Sequence, residues 1–169
     1  TVLVADTNVE DFPSSERLVE ISKSCVRVAK LFGFDPKVAF LSHSTFGKPI
    51  SRNTKHVRDA IEMLKEEKVN FDFDGEMQPD VALNPIYQDV YPFSKIVGRA
   101  NILIMPALHS AAISTKLMKS FGGAKLIGPL LIGLDLPIEV APLRSSTSDI
   151  LNLASIAAYS ADVIDYSKN

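Results

Sequence analysis

In the stretch APLRSSTSD (141–149), an arginine, a run of hydroxyls and an aspartate stand where a β-strand gives way to the last helix. Ser145, Ser146 and Thr147 are N-capping side chains, and Ser146 with Asp149 has the spacing of a reciprocal capping box. A helix start turns unpaired N–H groups and the positive end of the helix dipole toward an anion. Arg144 adds a permanent cation with a forked set of donors. These are the parts of a phosphate site. They are equally the parts of an ordinary capped helix beside a surface arginine, and the residues alone favour that plainer reading.

A second group, SHSTFGKP (42–49), follows a buried-type strand. Ser42, Ser44 and Thr45 supply hydroxyls, Gly47 permits close approach and Lys48 is a cation, the ingredients of an anion-binding turn. The order and spacing of glycine and lysine are not those of a P-loop, so a capped turn is the better reading of the pattern by itself. Asp72, Asp74, Glu76 and Asp80 cluster at a strand end. By the period of two, Asp72, Asp74 and Glu76 share a strand face, so a solvated edge explains them as simply as magnesium, and no metal site is expected. His43, His56 and His109 show no paired metal-ligand spacing. His56 is expected to face solvent from the polar side of a helix. His43, His109 and the neighbouring Ser110 lie at strand-to-helix joints and remain ligand candidates. No Gly-x-Ser-x-Gly elbow accompanies Ser44 or Ser110.

The elements that must position these residues alternate along the chain. Apolar runs at 2–5, 38–41 and 102–105 read as strands, and 69–73 alternates like one. Leu18, Ile21, Cys25, Val28, Ala29 and Phe32 keep helical spacing up to Gly33, and Val57, Ala60, Ile61 and Leu64 form one face of a second helix. Ile113, Leu117 and Phe121 stripe a third, which stops at Gly122 and Gly123. Short strands are expected at 126–127 and 130–134. The last helix, about 147–163, is apolar nearly all round, so it should be buried on more than one side or lie in an interface. Residues 84–98 read as a long ordered excursion containing Tyr87, Tyr91 and Phe93. The pattern is that of an α/β fold: a mainly parallel sheet with helices on both faces, with ligands gathering at the carboxyl ends of the strands.

Composition narrows the function classes. The 169 residues suffice for one well-buried core, with 46% hydrophobic residues. Eighteen basic and twenty acidic residues give a formal net charge of −2, with no basic stripe for nucleic acid or an anionic membrane. No apolar run reaches spanning length. The single cysteine, Cys25, can close no internal disulfide, which fits a cytoplasmic setting, and its place on an apolar helix face points to packing. The chain goes from Thr1 straight into an apolar run, so it is expected to be a piece of a larger protein.

The segments ADTNVEDFPSSERLVEIS, PKVAFLSHSTFGKP, FDFDGEMQPDVALNP, ANILIMPALHSAAISTKL and GGAKLIGPLLIGLDLPIEVAP occur in the order seen in the phosphate acetyl/butyryltransferase family. The resemblance runs over about residues 3–161. It implies the α/β architecture shared with isocitrate and isopropylmalate dehydrogenases. Residues 1–169 then form the C-terminal part of such a domain: about 1–140 the second subdomain, and about 141–169 a strand and helix returning to a first subdomain that is absent here.

The resemblance has two branches. In true phosphotransacetylases, which move acetyl between coenzyme A and phosphate, the last joint carries a Ser-Arg-Gly ahead of a helical Asp. Aligned on Asp149, the Ser and Arg fall on Pro142 and Leu143, and Arg144 stands where the glycine belongs. A second family pattern, Asn-Leu-x-Ala-Gly-Asn, reads Ala107-Leu108-His109-Ser110-Ala111-Ala112 here. SHSTFGKP, PALHSAAIS and the Ser-x-x-Asp helix start look instead like the C-terminal domain of large bacterial NADP-dependent malic enzymes. That branch implies a regulatory and oligomerising domain responsive to acetyl-CoA, with no catalytic residues of its own. In the parent, malate would be converted to pyruvate and CO2 with NADP and Mg2+ or Mn2+ by malic-enzyme domains N-terminal to this one. Expected partners are a second copy, as a homodimer or higher homo-oligomer, and an acyl-CoA. The candidate ligand residues are Ser42, Ser44, Thr45, Lys48, His109, Ser110, Arg144, Ser145, Ser146 and Asp149. The rival expectation is an active phosphate acetyltransferase using Arg144.

Overall fold

A computed structural model describes residues 1–123, 125–134 and 136–166. The chain divides into two compact units, Thr1–Thr115 and Lys116–Asn169.

The first unit is built on four parallel strands, β1 (Leu3–Ala5), β2 (Lys37–Leu41), β3 (Asp72–Met77) and β4 (Ile102–Ile104), in the order β1-β4-β2-β3. Helix α1 (Ser15–Leu31) starts where Ser14 Oγ accepts the N–H of Arg17. It ends where Gly33 takes the left-handed conformation that lets the Phe34 N–H reach the Ala29 carbonyl. With α2 (Lys55–Glu66) it covers one sheet face. There Leu18, Val26, Ala29, Val57, Ile61 and Leu64 pack on Val38, Phe40, Ile102 and Ile104. The other face carries Ala39, Leu41, Leu103 and Met105. It is covered by Ala82 of α3 (Pro79–Leu83), by Ile96 and Ala100 from the excursion, and by Ala111 of α4 (Leu108–Phe121). Alternate side chains of the same strands feed the two cores, as the strand period requires. Cys25 lies within the first, and burial pushes its thiol up to about 12, which removes it from nucleophilic chemistry.

The third strand runs over Asp72–Met77 rather than 69–73. Val69 and Phe71 alternate because they pack against the helix-covered core, but the ladder begins only where Asp72 meets Lys37. The register shifts between Phe40, opposite Gly75, and Leu41, opposite Met77, leaving Glu76 as the extra residue.

The second unit contains the end of α4, then chain without strands among the described residues, and α5 (Thr147–Tyr166). The strands expected at 126–127 and 130–134 do not form. Gly128 and Gly133 have positive φ and Pro129 has no N–H, so too little uninterrupted backbone remains to build a ladder. Of the α5 side chains, Leu153 is buried, whereas Ile150 and Leu151 are exposed. Among the described residues, no helix is long and apolar enough to cross a membrane.

Gly75 is the tightest point of the sheet. A Cβ there would lie 2.7 Å from the Phe40 carbonyl oxygen and 3.0 Å from Phe40 Cβ, at a φ of 144°. Backbone cannot step aside as a side-chain tip can. Gly75→Ala is expected to lower unfolding free energy by about 2 kcal/mol or more. Urea denaturation checks this, and an unchanged midpoint would show that the strand can open.

Candidate functional site

The loops after β1 and β2 lead to helices on one sheet face, whereas the loop after β4, which lies between those strands, leads to α4 on the other. Neighbouring loops that part in this way leave a crevice at the carboxyl edge, the usual ligand position of open parallel sheets. Three segments meet this edge: 6–14, 42–54 and 105–110.

Within 42–54, Thr45 and Lys48 exchange two backbone hydrogen bonds of 3.1 and 3.0 Å around Phe46 and Gly47, both with positive φ. This is a tight primed turn, with phenylalanine where asparagine or glycine is usual, at a conformational cost of about 1–2 kcal/mol. Offsetting contacts hold it. The Phe46 N–H donates to the Glu76 carbonyl at 2.7 Å, and its ring meets the edges of Phe93 and Tyr91 at centroid distances of 4.9 and 5.3 Å.

The hydroxyls of this turn are engaged inside the protein. Ser42 Oγ accepts the Ser44 N–H at 3.2 Å, Ser44 Oγ donates to Glu76 Oε1, and Thr45 Oγ1 accepts the Gln78 N–H at 3.2 Å. His43 and Lys48 are exposed. Glu76, only 1% exposed, is paired with Arg58, whose Nη1 lies 3.1 Å from Oε2. The same guanidinium donates to Thr54 Oγ1 at 2.6 Å and to the Ser51 carbonyl at 2.9 Å. The expected solvated acidic edge is therefore corrected. Asp72 is exposed, but Asp74 is buried and accepts the Lys95 N–H at 2.7 Å, and Glu76 turns inward because the bulge places it toward α2. Among the described residues, no group of three or more His, Cys, Asp or Glu side chains is placed to hold a metal.

His56, expected to face solvent, is half-buried: its ring packs on Phe12 and its Nε2 lies 3.0 Å from the Pro106 carbonyl. His109 is exposed at the start of α4, and Ser110 Oγ donates locally to the Ala107 carbonyl at 2.8 Å. Ser42, Ser44, Thr45, Lys48, His109 and Ser110 thus share the carboxyl edge of adjacent strands. Arg58, Thr54 and Phe12 join them there without having been singled out. Arg58 stands one residue after Val57 of the apolar stripe, and the carboxylate it pairs with comes from a different segment.

The second unit carries the remaining candidates. Arg144 is exposed, the Ser145 N–H donates to the Pro142 carbonyl at 2.9 Å, and Leu143 is fully exposed. The capping box forms as its spacing implies: Asp149 Oδ2 accepts the Ser146 N–H at 2.9 Å and Oγ–H at 2.8 Å, and the Asp149 N–H donates to Ser146 Oγ at 3.2 Å. The backbone and hydroxyl of Ser146, then Lys125 and Lys119, hold the Asp149 carboxyl below its ordinary range.

Two outcomes follow. Arg58→Met strands a buried carboxylate and should cost about 3 kcal/mol in urea denaturation, the lower end of the range because the arginine is 31% exposed. Adding Glu76→Gln should restore a good part, and no recovery in the double variant would deny the pairing its role. Ser146→Ala should raise the Asp149 pKa toward the usual carboxylate value. A lowered folded pKa stabilises above the unfolded value and is lost as pH falls through the folded one. The variant should therefore lose the cap at a higher pH than the wild type. Carbon-detected NMR of Asp149 reads this, and an unmoved titration would refute it.

The description "Phosphate acetyl/butaryl transferase" belongs to the family model that matches residues 1–158. An NADP-dependent malic enzyme of Rhizobium meliloti (strain 1021) is 49% identical over 161 residues, which are 95% of this chain and 21% of that protein. A phosphate acetyltransferase of Bacillus subtilis (strain 168) is 35% identical over 93% of this chain and 49% of its own. The crystal structure of a phosphotransacetylase from Streptococcus pyogenes superposes with a TM-score of 0.86 at 35% identity, covering 94% of this chain and 48% of that one. The chain thus spans about half of the transferases and about a fifth of the malic enzymes it matches. With its parallel sheet, its crevice and a match along nearly its whole length, the chain belongs to the phosphate acetyl/butyryltransferase family.

Proposed function

We propose that this chain is a regulatory and assembly domain of an NADP-dependent malic enzyme, responsive to acetyl-CoA and without transferase activity of its own. The observation that carries this reading is the chemistry of the 141–149 joint. Pro142 contributes only a carbonyl to the Ser145 N–H, Leu143 is an exposed alkyl chain, and the Asp149 carboxylate is taken up by Ser146. A positioned hydroxyl and a transition-state cation are commonly worth orders of magnitude in rate, and neither is supplied at those two positions. The similarity to malic enzymes, at 49% and 37% identity, supports the same parentage. Oxidative decarboxylation of malate, with NADP and Mg2+ or Mn2+, then belongs to the rest of the parent chain.

The phosphates of acetyl-CoA are assigned to one of two exposed cations, Lys48 at the carboxyl edge of the first unit or Arg144 of the second. Self-association as a homodimer is supported by the second unit, which exposes Leu136, Val140, Leu143, Ile150 and Leu151 and leaves the buried Asn152 Nδ2 without an acceptor. The remaining length of the parent is a competing cover for that apolar surface.

A second reading, an active phosphate acetyltransferase, draws on the retained Asp149 and on the exposed Arg144 beside the vacated position. One experiment separates the two. The full-length protein should bind acetyl-CoA in calorimetry, lose at least about tenfold in affinity when Lys48 and Arg144 are both alanine, and form no acetyl phosphate from acetyl-CoA and phosphate. Sustained acetyl phosphate formation, abolished by Arg144→Ala, would establish the transferase instead. Binding indifferent to the double substitution would remove the two cations from the site.

A further inference from the structure

Phe12 is 65% exposed and yet fixed in place. The loop carrying it is tied at its start, where the Asp6 carboxylate accepts the N–H groups of Asn8, Val9 and Glu10 at 3.0, 3.1 and 2.9 Å. On one side of Phe12 the Asp11 carbonyl accepts the Leu108 N–H at 3.1 Å; on the other, Pro13 is fully buried. The phenyl ring rests on His56, with centroids 4.4 Å apart and planes tilted by 41°. His56 is itself held through Nε2 by the Pro106 carbonyl. Backbone at both neighbours and an imidazole behind therefore hold a large apolar ring out in water. It stands at the carboxyl edge of β1 and β4, where the crevice opens.

A loop free to move would fold such a ring away, since burying a phenylalanine side chain gains about 1.5–3 kcal/mol. A ring held out rigidly suits a flat partner, because it stacks with little loss of its own conformational freedom. The flat group of an acyl thioester of coenzyme A is its adenine. We propose that Phe12, backed by His56, is the stacking platform for the purine base of an adenine-nucleotide thioester. This rests on the acyl-CoA reading above and adds which part of the ligand is read, and by which residues.

The test is calorimetry on the full-length protein with acetyl-CoA and with acetyl-pantetheine, which carries the same thioester without the nucleotide. The wild type should prefer acetyl-CoA. Phe12→Ala should weaken acetyl-CoA by about tenfold, the scale of one lost base–aromatic stack, and leave acetyl-pantetheine unchanged. Phe12→Trp should keep the preference, which also controls for folding. A wild type that binds both equally would overturn the platform while leaving acyl-CoA binding intact. So would Phe12→Ala weakening both alike, or lowering the melting temperature with the preference preserved, since either assigns the ring to packing. A wild type that binds neither thioester would overturn the platform together with the functional reading.

Discussion

The first unit depends on one buried charge. Glu76 enters the interior because the β2–β3 register slips there, and a carboxylate out of water is tolerable only if every oxygen is matched. Arg58 supplies the countercharge and Ser44 a hydroxyl, and the same guanidinium reaches Thr54 and the Ser51 carbonyl. Satisfying the charge therefore fixes both ends of the 42–54 loop. The tight turn at Phe46 and Gly47, with its N–H on the Glu76 carbonyl, is then set against the aromatic excursion rather than free in solvent. A bulge of one residue in a strand thus dictates the conformation of the crevice wall.

The layered architecture was legible in the sequence because period and punctuation agree. The stripe from Leu18 to Phe32 ends at a glycine that does adopt positive φ, and the Ser146–Asp149 spacing yields the reciprocal cap it implies. What failed to read out depends on long-range partners. Alternation at 69–73 is shared by a strand and by chain packing onto helices, and only the position of Lys37 decides where pairing begins. The acidic residues of β3 look like an edge until the bulge turns one of them inward, and His56 looks polar until Phe12 and Pro106 arrive from other segments. The short apolar runs at 126–134 had no strand to pair with among the described residues. Hydroxyls were recognisable as hydrogen-bonding groups, but not as groups already used.

That last distinction bears on Asp149. A carboxylate that caps its own helix has its charge neutralised by N–H and hydroxyl donors and its pKa lowered. A residue assisting acyl transfer must give such interactions to substrate at the moment charge develops. One carboxylate does not serve both partners at full strength. Here Asp149 stabilises the start of its own helix, while Pro142 offers a backbone carbonyl and Leu143 an exposed alkyl chain.

The same division runs through the crevice. Hydroxyls that could hold a reacting oxygen at hydrogen-bond distance are turned inward, while the groups offered to solvent are His43, Lys48, His109 and the ring of Phe12. Imidazole and ammonium groups offer hydrogen bonds and charge, and a phenyl ring offers a flat apolar face. Catalysis comes from donors preorganised for the transition state. Regulation requires only that a ligand bind one state of the protein better than another. At this edge the hydroxyls are spent on holding the loop, so what a ligand meets there is charge and apolar surface.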